Sequence, residues 1–209
     1  MQKINKPHEM NNIISFKKND NIYLQDKNVD NSVLETFYFE DFFNPKRMKK
    51  FIKAVESMVR QSEEYSHYLG ILTNTQHIDS CSVLGNIKDG EATLEYHHYP
   101  FTLYDICEIV IEKNIKENKK FTTFMIASQV IQLHYDNKVG LVKLSKTIHE
   151  LVHDGKIFIP LESIAGDVNS FVEEYLDVIP RELIKKYNDL IDMNNEKNLS
   201  DEIINIHNG

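Results

Sequence analysis

The chain has few of the residues that mark several common classes of protein. Its 209 residues include two cysteines, five prolines and seven glycines, and no tryptophan. Cys81 and Cys107 are far apart and form no Cys-x-x-Cys pair, which argues against a disulfide framework and favours a reduced, cytoplasmic setting. No apolar run approaches the roughly 18 residues of a membrane span, and the N-terminus has no apolar signal segment. We therefore expect a cytoplasmic protein with no membrane partner.

Two groups of catalytic motifs are also missing. The chain has no glycine-rich phosphate loop and no Gly-x-Ser-x-Gly turn, so nucleotide hydrolysis and α/β-hydrolase chemistry have no support. With 41% hydrophobic and 27% charged residues, the composition is that of an ordinary globular protein. The chain is long enough to bury a core.

The charge is distributed unevenly along the chain. The net charge of −8 argues against a protein that coats nucleic acid non-specifically. Residues 45–60 nevertheless contain six basic residues and one acid, whereas residues 162–209 contain eleven acids and four bases, a net of −7. We predict nucleic-acid contacts for the first segment and a protein partner for the second; the alternative is that both are solvated helix faces. The candidates for nucleic-acid contacts are Lys46, Arg47, Lys49, Lys50 and Lys53.

Helical periodicity dominates the chain, so we predict an α+β fold that is mostly helical. Asp89-Gly90 predicts a hairpin between strands Ser82–Ile87 and Glu91–Tyr96. The other predicted elements are a helix from Lys46 to about Tyr68, helices Phe101–Lys116 and Thr122–Tyr135, a strand Val139–Leu144, a helix from Ser145 to His153, a strand Lys156–Leu161, a helix Val168–Leu176 and a helix from Pro180 to about Met193.

Four histidines fall in a pattern that suits a hydrolytic metal site. His97 and His98 end the β-forming run Thr93–Pro100, and adjacent strand residues face opposite ways, so a strand end or bulge is needed for both to serve one site. His149 and His153 are four residues apart on a predicted helix, a spacing at which two imidazoles can bind one ion. Three imidazoles suit Zn²⁺ or another transition metal better than Mg²⁺, which prefers oxygen ligands.

The order strand, His-His, strand, then a helix with His-x-x-x-His resembles the HNH, or ββα-metal, endonuclease superfamily, and in particular its colicin-type DNase branch. The residues that carry the resemblance are Leu94-Glu-Tyr-His-His-Tyr-Pro100 and Gly140-Leu-Val-Lys-Leu-Ser-Lys-Thr-Ile-His-Glu-Leu-Val-His153. The second segment is similar to the family's Asn-Leu-Val-x-Leu…His-x-x-x-His. The resemblance covers about residues 81–161.

The resemblance implies roles for individual histidines. His97, His149 and His153 correspond to metal ligands, and His98 corresponds to the general base. A neutral imidazole near pH 7 can accept a proton from water, and a divalent cation can stabilise a leaving alkoxide.

The chain also departs from the family. Gly140 stands where the family has Asn, and Asn137 is a candidate to replace it, with His134 as a further supporting residue. The link between the two motif segments is long and is predicted to hold two helices, and the zinc-knuckle cysteines of many members are absent.

These observations give one prediction for the architecture and two for the function. We expect residues 1–70 to form an arm and an amphipathic helix, residues 71–161 a ββα-metal domain with a two-helix insertion between its strands, and residues 162–209 acidic helices. The first functional hypothesis is a single-metal endonuclease acting on nucleic acid, expected to be DNA. The alternative is an inactive, HNH-like metal-binding module that contacts protein or DNA. Compact HNH proteins abound in phages and mobile elements, and a phage origin would place the protein in the host cytoplasm.

Overall fold

A computed structural model describes residue 42 and residues 44–85, 87–88, 90–153, 156–157 and 159–207, with side chains to residue 196 except that of residue 153. The predicted N-terminal arm lies outside these residues. The chain divides into two units, Met1–His67 with Leu103–Asp136, and Tyr68–Thr102 with Asn137–Gly209. These boundaries differ from the three consecutive segments predicted above, which stay a prediction.

Seven α-helices and one two-stranded sheet make up the regular structure of the described residues, so the mostly helical α+β class is confirmed. None of these helices is both long enough and apolar enough to cross a bilayer. The elements in chain order are α1 Pro45–Gln61, α2 Glu63–Asn74, β1 Leu94–His98, α3 Leu103–Lys116, α4 Thr123–Tyr135, β2 Leu141–Ser145, α5 Lys146–His153, a 3-10 turn Leu161–Ser163, α6 Val168–Tyr175 and α7 Arg181–His207.

Helix α1 begins and ends at polar side chains. The Asn44 Oδ1 accepts the backbone N–H groups of Lys46 and Arg47, at 3.0 and 3.4 Å, and a proline occupies the first position. The prediction of a single helix from Lys46 to about Tyr68 is wrong, because the helix is interrupted at Ser62. The Ser62 hydroxyl donates to the Val59 carbonyl at 2.9 Å and accepts the Tyr65 N–H at 3.1 Å, so one side chain ends α1 and caps α2.

Helices α1, α3 and α4 pack together as the core of the first unit. A pair of side-chain amides joins α3 to α4: the Asn114 Nδ2 donates to Gln129 Oε1 at 2.8 Å, and the Gln129 Nε2 donates back at 3.4 Å. The Asn114 amide also donates to the Val110 carbonyl at 2.8 Å. In sequence, α3 and α4 stand between β1 and β2, so two helices lie between the strands as predicted, while the ββα-metal motif itself stays a prediction.

Strand β2 is buried along its whole length, and both of its edges are paired. One edge pairs antiparallel with β1, from Leu94 opposite Ser145 to His98 opposite Leu141. The other edge bonds to Ala165, through two bonds of 2.8 Å with Leu141, and to Ser82, whose N–H donates to the Lys143 carbonyl at 2.7 Å.

The predicted hairpin around residues 89–90 is wrong. Residues 82–84 form a turn in which the Cys81 N–H bonds the Ile87 carbonyl at 2.9 Å, and β1 pairs with β2 instead. The described residues of Lys156–Leu161 form no strand either, and the chain turns there into the 3-10 segment. The C-terminal helix continues past Met193 to His207.

His134 is fully buried in the first unit. Its Nδ1 lies 2.7 Å from the Val130 carbonyl, to which it donates, and the Tyr65 ring meets it edge-on at 5.2 Å. Burial lowers the pKa of His134 to about 4, from 6.5, since the charged imidazolium would lose its hydration.

This burial predicts a pH dependence of stability. Between pH 6.5 and 4 the unfolded chain binds a proton at His134 that the folded chain does not, so the free energy of unfolding should decrease as the pH falls through this window, by about 3 kcal/mol at most. Urea unfolding at pH 7.5 and pH 5 measures the loss. His134→Gln should reduce the difference, whereas His77→Asn, at an exposed position, should keep it. Equal pH dependence in wild type and His134→Gln would contradict the assignment.

Candidate metal centre

His97 faces helix α5. In the register of the sheet it lies opposite Val142, on the same sheet face as Leu144, because alternate strand residues share a face. Val142 and Leu144 pack with Ile148 of α5 in a buried cluster, so α5 covers this face. His149 follows Ile148 directly, and the rings of His97 and His149 lie 4.3 Å apart between centroids, with planes inclined at 54°.

His153 is the last residue of α5, one turn after His149. Its side chain lies outside the described part of the chain, so its place in the site stays a prediction. Among the side chains that are described, no three His, Cys, Asp or Glu residues come close enough to hold a metal ion. The structure therefore brings together two of the three predicted ligands, His97 and His149.

The described pair has the ligand type that a transition-metal ion prefers. With Zn–N bonds of 2.0–2.1 Å, two nitrogens on one tetrahedral ion lie about 3.3 Å apart, and the two rings are 4.3 Å apart between centroids. A residue four positions after His149 lies on the same helix face, where a third imidazole is expected. An all-imidazole set suits Zn²⁺, Ni²⁺ or Co²⁺ better than Mg²⁺.

His98 belongs to the other face of the sheet. The register from Leu94 to His98 is continuous, so the bulge that would let His97 and His98 share one site is not formed. His98 is 3% exposed. A general base must contact the water that it deprotonates, and His98 is almost entirely shielded from bulk solvent in this conformation.

Lys143 shares the sheet face of His98. It is 3% exposed, and its Nζ lies 5.2 Å above the ring of Tyr96, the residue opposite it in the sheet. The Tyr96 hydroxyl has two hydrogen-bond partners. It donates to the Ile78 carbonyl at 3.1 Å, and it lies 3.0 Å from Thr73 Oγ1. Sequence reasoning missed this buried cation, because a lysine in a short strand is usually solvent-facing.

Gly140 has no room for a side chain. A Cβ at this position would lie 2.0 Å from the Tyr99 carbonyl oxygen and 2.7 Å from Val168 Cγ2. The two backbones are bonded here, with the Tyr99 N–H donating to the Gly140 carbonyl at 3.0 Å. An asparagine, which the HNH pattern has at this position, does not fit this backbone.

The remaining predicted residues are Asn137, His134 and the basic residues of α1. Asn137 is exposed in the turn after α4, with φ of 59°, and its carbonyl accepts the Asp167 N–H at 2.6 Å. His134 belongs to the first unit, as does α1 with its basic residues. On α1, Lys46, Lys49, Lys50 and Lys53 are exposed and Arg47 is partly exposed.

The chain belongs to a family of bacteriophage proteins. A family model described as Bacteriophage G278-like virion protein matches residues 1–207. Searches of curated proteins and of solved structures gave no match. The phage association expected from the sequence is thereby confirmed, and the resemblance to HNH endonucleases stays a prediction.

The contacts of Gly140 predict a steric cost for the smallest side chain. Gly140→Ala should lower the free energy of unfolding by about 1–3 kcal/mol, because backbone and Val168 must move to admit the methyl group. Gly70→Ala is the matched control: its Cβ would meet only Asn74 Nδ2 at 3.9 Å, within α2, so stability should rise by up to about 1 kcal/mol. Urea denaturation measures both. A neutral Gly140→Ala would contradict the close approach.

Proposed function

We propose that this protein is a component of the bacteriophage particle whose second unit is stabilised by one transition-metal ion. The observation that carries the proposal is the contact between His97 and His149, 4.3 Å between ring centroids. His97, His149 and His153 would hold the ion. The family description, a virion protein, supports a place in the particle.

A metal ion at this point would have a large structural effect. The two histidines are 52 positions apart in the chain, and the ion would tie a five-residue strand to an eight-residue helix. An isolated helix of eight residues is unstable in water, so α5 depends on its packing against the sheet. Metal binding at a site formed only on folding adds its binding free energy to stability.

Two features favour this inactive module over the nuclease. His98, the expected base, is 3% exposed on the opposite sheet face, and Gly140 cannot carry the asparagine that braces the base in HNH enzymes. A site with a structural role needs neither group. The partner predicted for the acidic C-terminal helices stays a prediction.

Nuclease activity is the second candidate function. It is favoured by the order β1, β2, α5 and by the histidine at position 98, which an inert metal site does not need. A bound ion would supply Lewis-acid stabilisation of phosphate and leaving oxygen. For His98 to act as the base, its face of the sheet would have to become accessible to water and substrate, because general-base catalysis requires contact with water.

The metal proposal predicts the metal content of variants. The wild-type protein, loaded with Zn²⁺, Ni²⁺ or Co²⁺ and freed of excess, should keep one ion per chain, and chelation should lower its melting temperature. His97→Ala and His149→Ala should each lose the ion, since two of the three expected imidazoles remain. Elemental analysis and thermal unfolding measure both effects, with His77→Asn as the control. A wild type that retains none of these ions would overturn the proposal.

The two candidate functions differ in what His98 does. For a nuclease, His98→Ala should keep the ion while cleavage of plasmid, single-stranded DNA or RNA falls by about 10²–10⁴-fold. For the structural module, wild type should bind the ion and cleave none of these with Mg²⁺, Mn²⁺, Ni²⁺ or Zn²⁺. If the wild type cleaves nucleic acid and His98→Ala does not, the nuclease replaces the structural module as the proposed function.

A further inference from the structure

We infer that one end of the first unit binds the phosphate backbone of nucleic acid without reading its sequence. This surface, called the lysine end here, is formed by two segments of the chain. Its residues are Lys46, Lys49, Lys50 and Lys53 of α1, and Lys116, Lys119 and Lys120 at the end of α3 and in the turn before α4. All seven are exposed. The inference does not depend on the metal site.

The four lysines of α1 form a single stripe. Their positions follow the spacing i, i+3, i+4, i+7, which puts them on one side of a helix. The opposite side is buried in the unit core, where Phe51, Ile52 and Val55 are at most 2% exposed. From Lys46 to Lys53 the stripe is about 10 Å long, at 1.5 Å of rise per residue.

An aromatic cluster holds the second segment against α1. The ring of Phe121, which follows Lys120 directly, lies 5.9 Å from the Phe51 ring and 5.2 Å from the Phe42 ring. Phe51 lies between Lys50 and Lys53 in α1. The turn before α4 is therefore held at the level of the α1 lysines along the helix axis, so both segments lie at the same end of the unit.

Among the residues that the structure describes, positive charge dominates the lysine end, although the whole chain carries −8. The single acid of α1, Glu56, pairs with Arg60 at 3.0 Å, one turn beyond Lys53. In the turn, Glu117 pairs with Lys119 at 2.5 Å and with Lys113 at 3.8 Å. Residues 45–54 carry five positive charges and no negative one, and residues 116–120 carry three positive and one negative.

Lysine side chains suit a phosphate backbone. An ammonium group is a point charge without the planar fork that arginine offers to base edges, so a lysine stripe provides affinity and little sequence preference. Duplex DNA has one charge per about 1.7 Å of axis, so a stripe of about 10 Å faces several phosphates. A virion protein shares its particle with the packaged genome, so nucleic acid is an available polyanion for this surface.

Salt-dependent binding tests the inference. Fluorescence anisotropy of labelled duplex and single-stranded DNA with the full chain, at 25–200 mM salt, gives the slope of log K against log salt concentration. The triple variant Lys46→Gln, Lys49→Gln, Lys53→Gln should reduce the slope for duplex DNA by about 2.7, or about 0.9 for each phosphate that the protein no longer neutralises. Circular dichroism checks that the variant folds. The control removes the same charge elsewhere, with Lys88→Gln, Lys156→Gln and Lys185→Gln, three exposed lysines of the second unit.

The expected outcome is a reduced slope in the first triple variant, an unchanged slope in the control, and no effect of chelators in either. Equal slopes in all three proteins, or no binding by wild type at 25 mM salt, would overturn the inference. Tighter binding of labelled polyglutamate than of DNA with the same number of charges would also overturn it. An acidic protein segment, such as residues 162–209 of another copy, would then be the better partner.

Discussion

The geometry around β1 depends on the close approach of two backbones, at Gly140 and Tyr99. The bond between the Tyr99 N–H and the Gly140 carbonyl lies just beyond the pair of His98 and Leu141, and an added Cβ would be 2.0 Å from the Tyr99 oxygen. This contact joins chain segments separated by the inserted helices. It also fixes the register of the sheet, and a shift of one residue would move His97 to the face away from α5.

The helices were largely predictable from sequence, whereas the strand pairing was not. Helix α3 begins two residues after its predicted start and α4 one residue after, because their apolar periodicity is unambiguous. The break at Ser62 was missed, since apolar residues continue at helical spacing on both sides of it. Gly90 lies in a turn, but β1 pairs with β2, a strand more than forty residues later, and no local pattern reveals that partner.

For the candidate site, the sequence predicted which residues meet more reliably than what they do. The proximity of His97 and His149 could be predicted because His97 is at the end of a strand and His149 is on a helix face. The burial of His98 and Lys143 could not be predicted, because it depends on what covers the second sheet face. Likewise, the sequence comparison indicated only that Gly140 stands where the HNH pattern has asparagine. The steric environment of Gly140 shows a position where only glycine fits.

The paired amides of Asn114 and Gln129 have a consequence for the family as a whole. Each amide satisfies the other across α3 and α4, and Asn114 is 5% exposed. An apolar replacement of Gln129 alone would leave the buried Asn114 Oδ1 without its donor, at about 1–3 kcal/mol. Replacing both by apolar side chains removes that penalty. Among related phage sequences, positions 114 and 129 should therefore covary, with either two polar residues or two apolar ones.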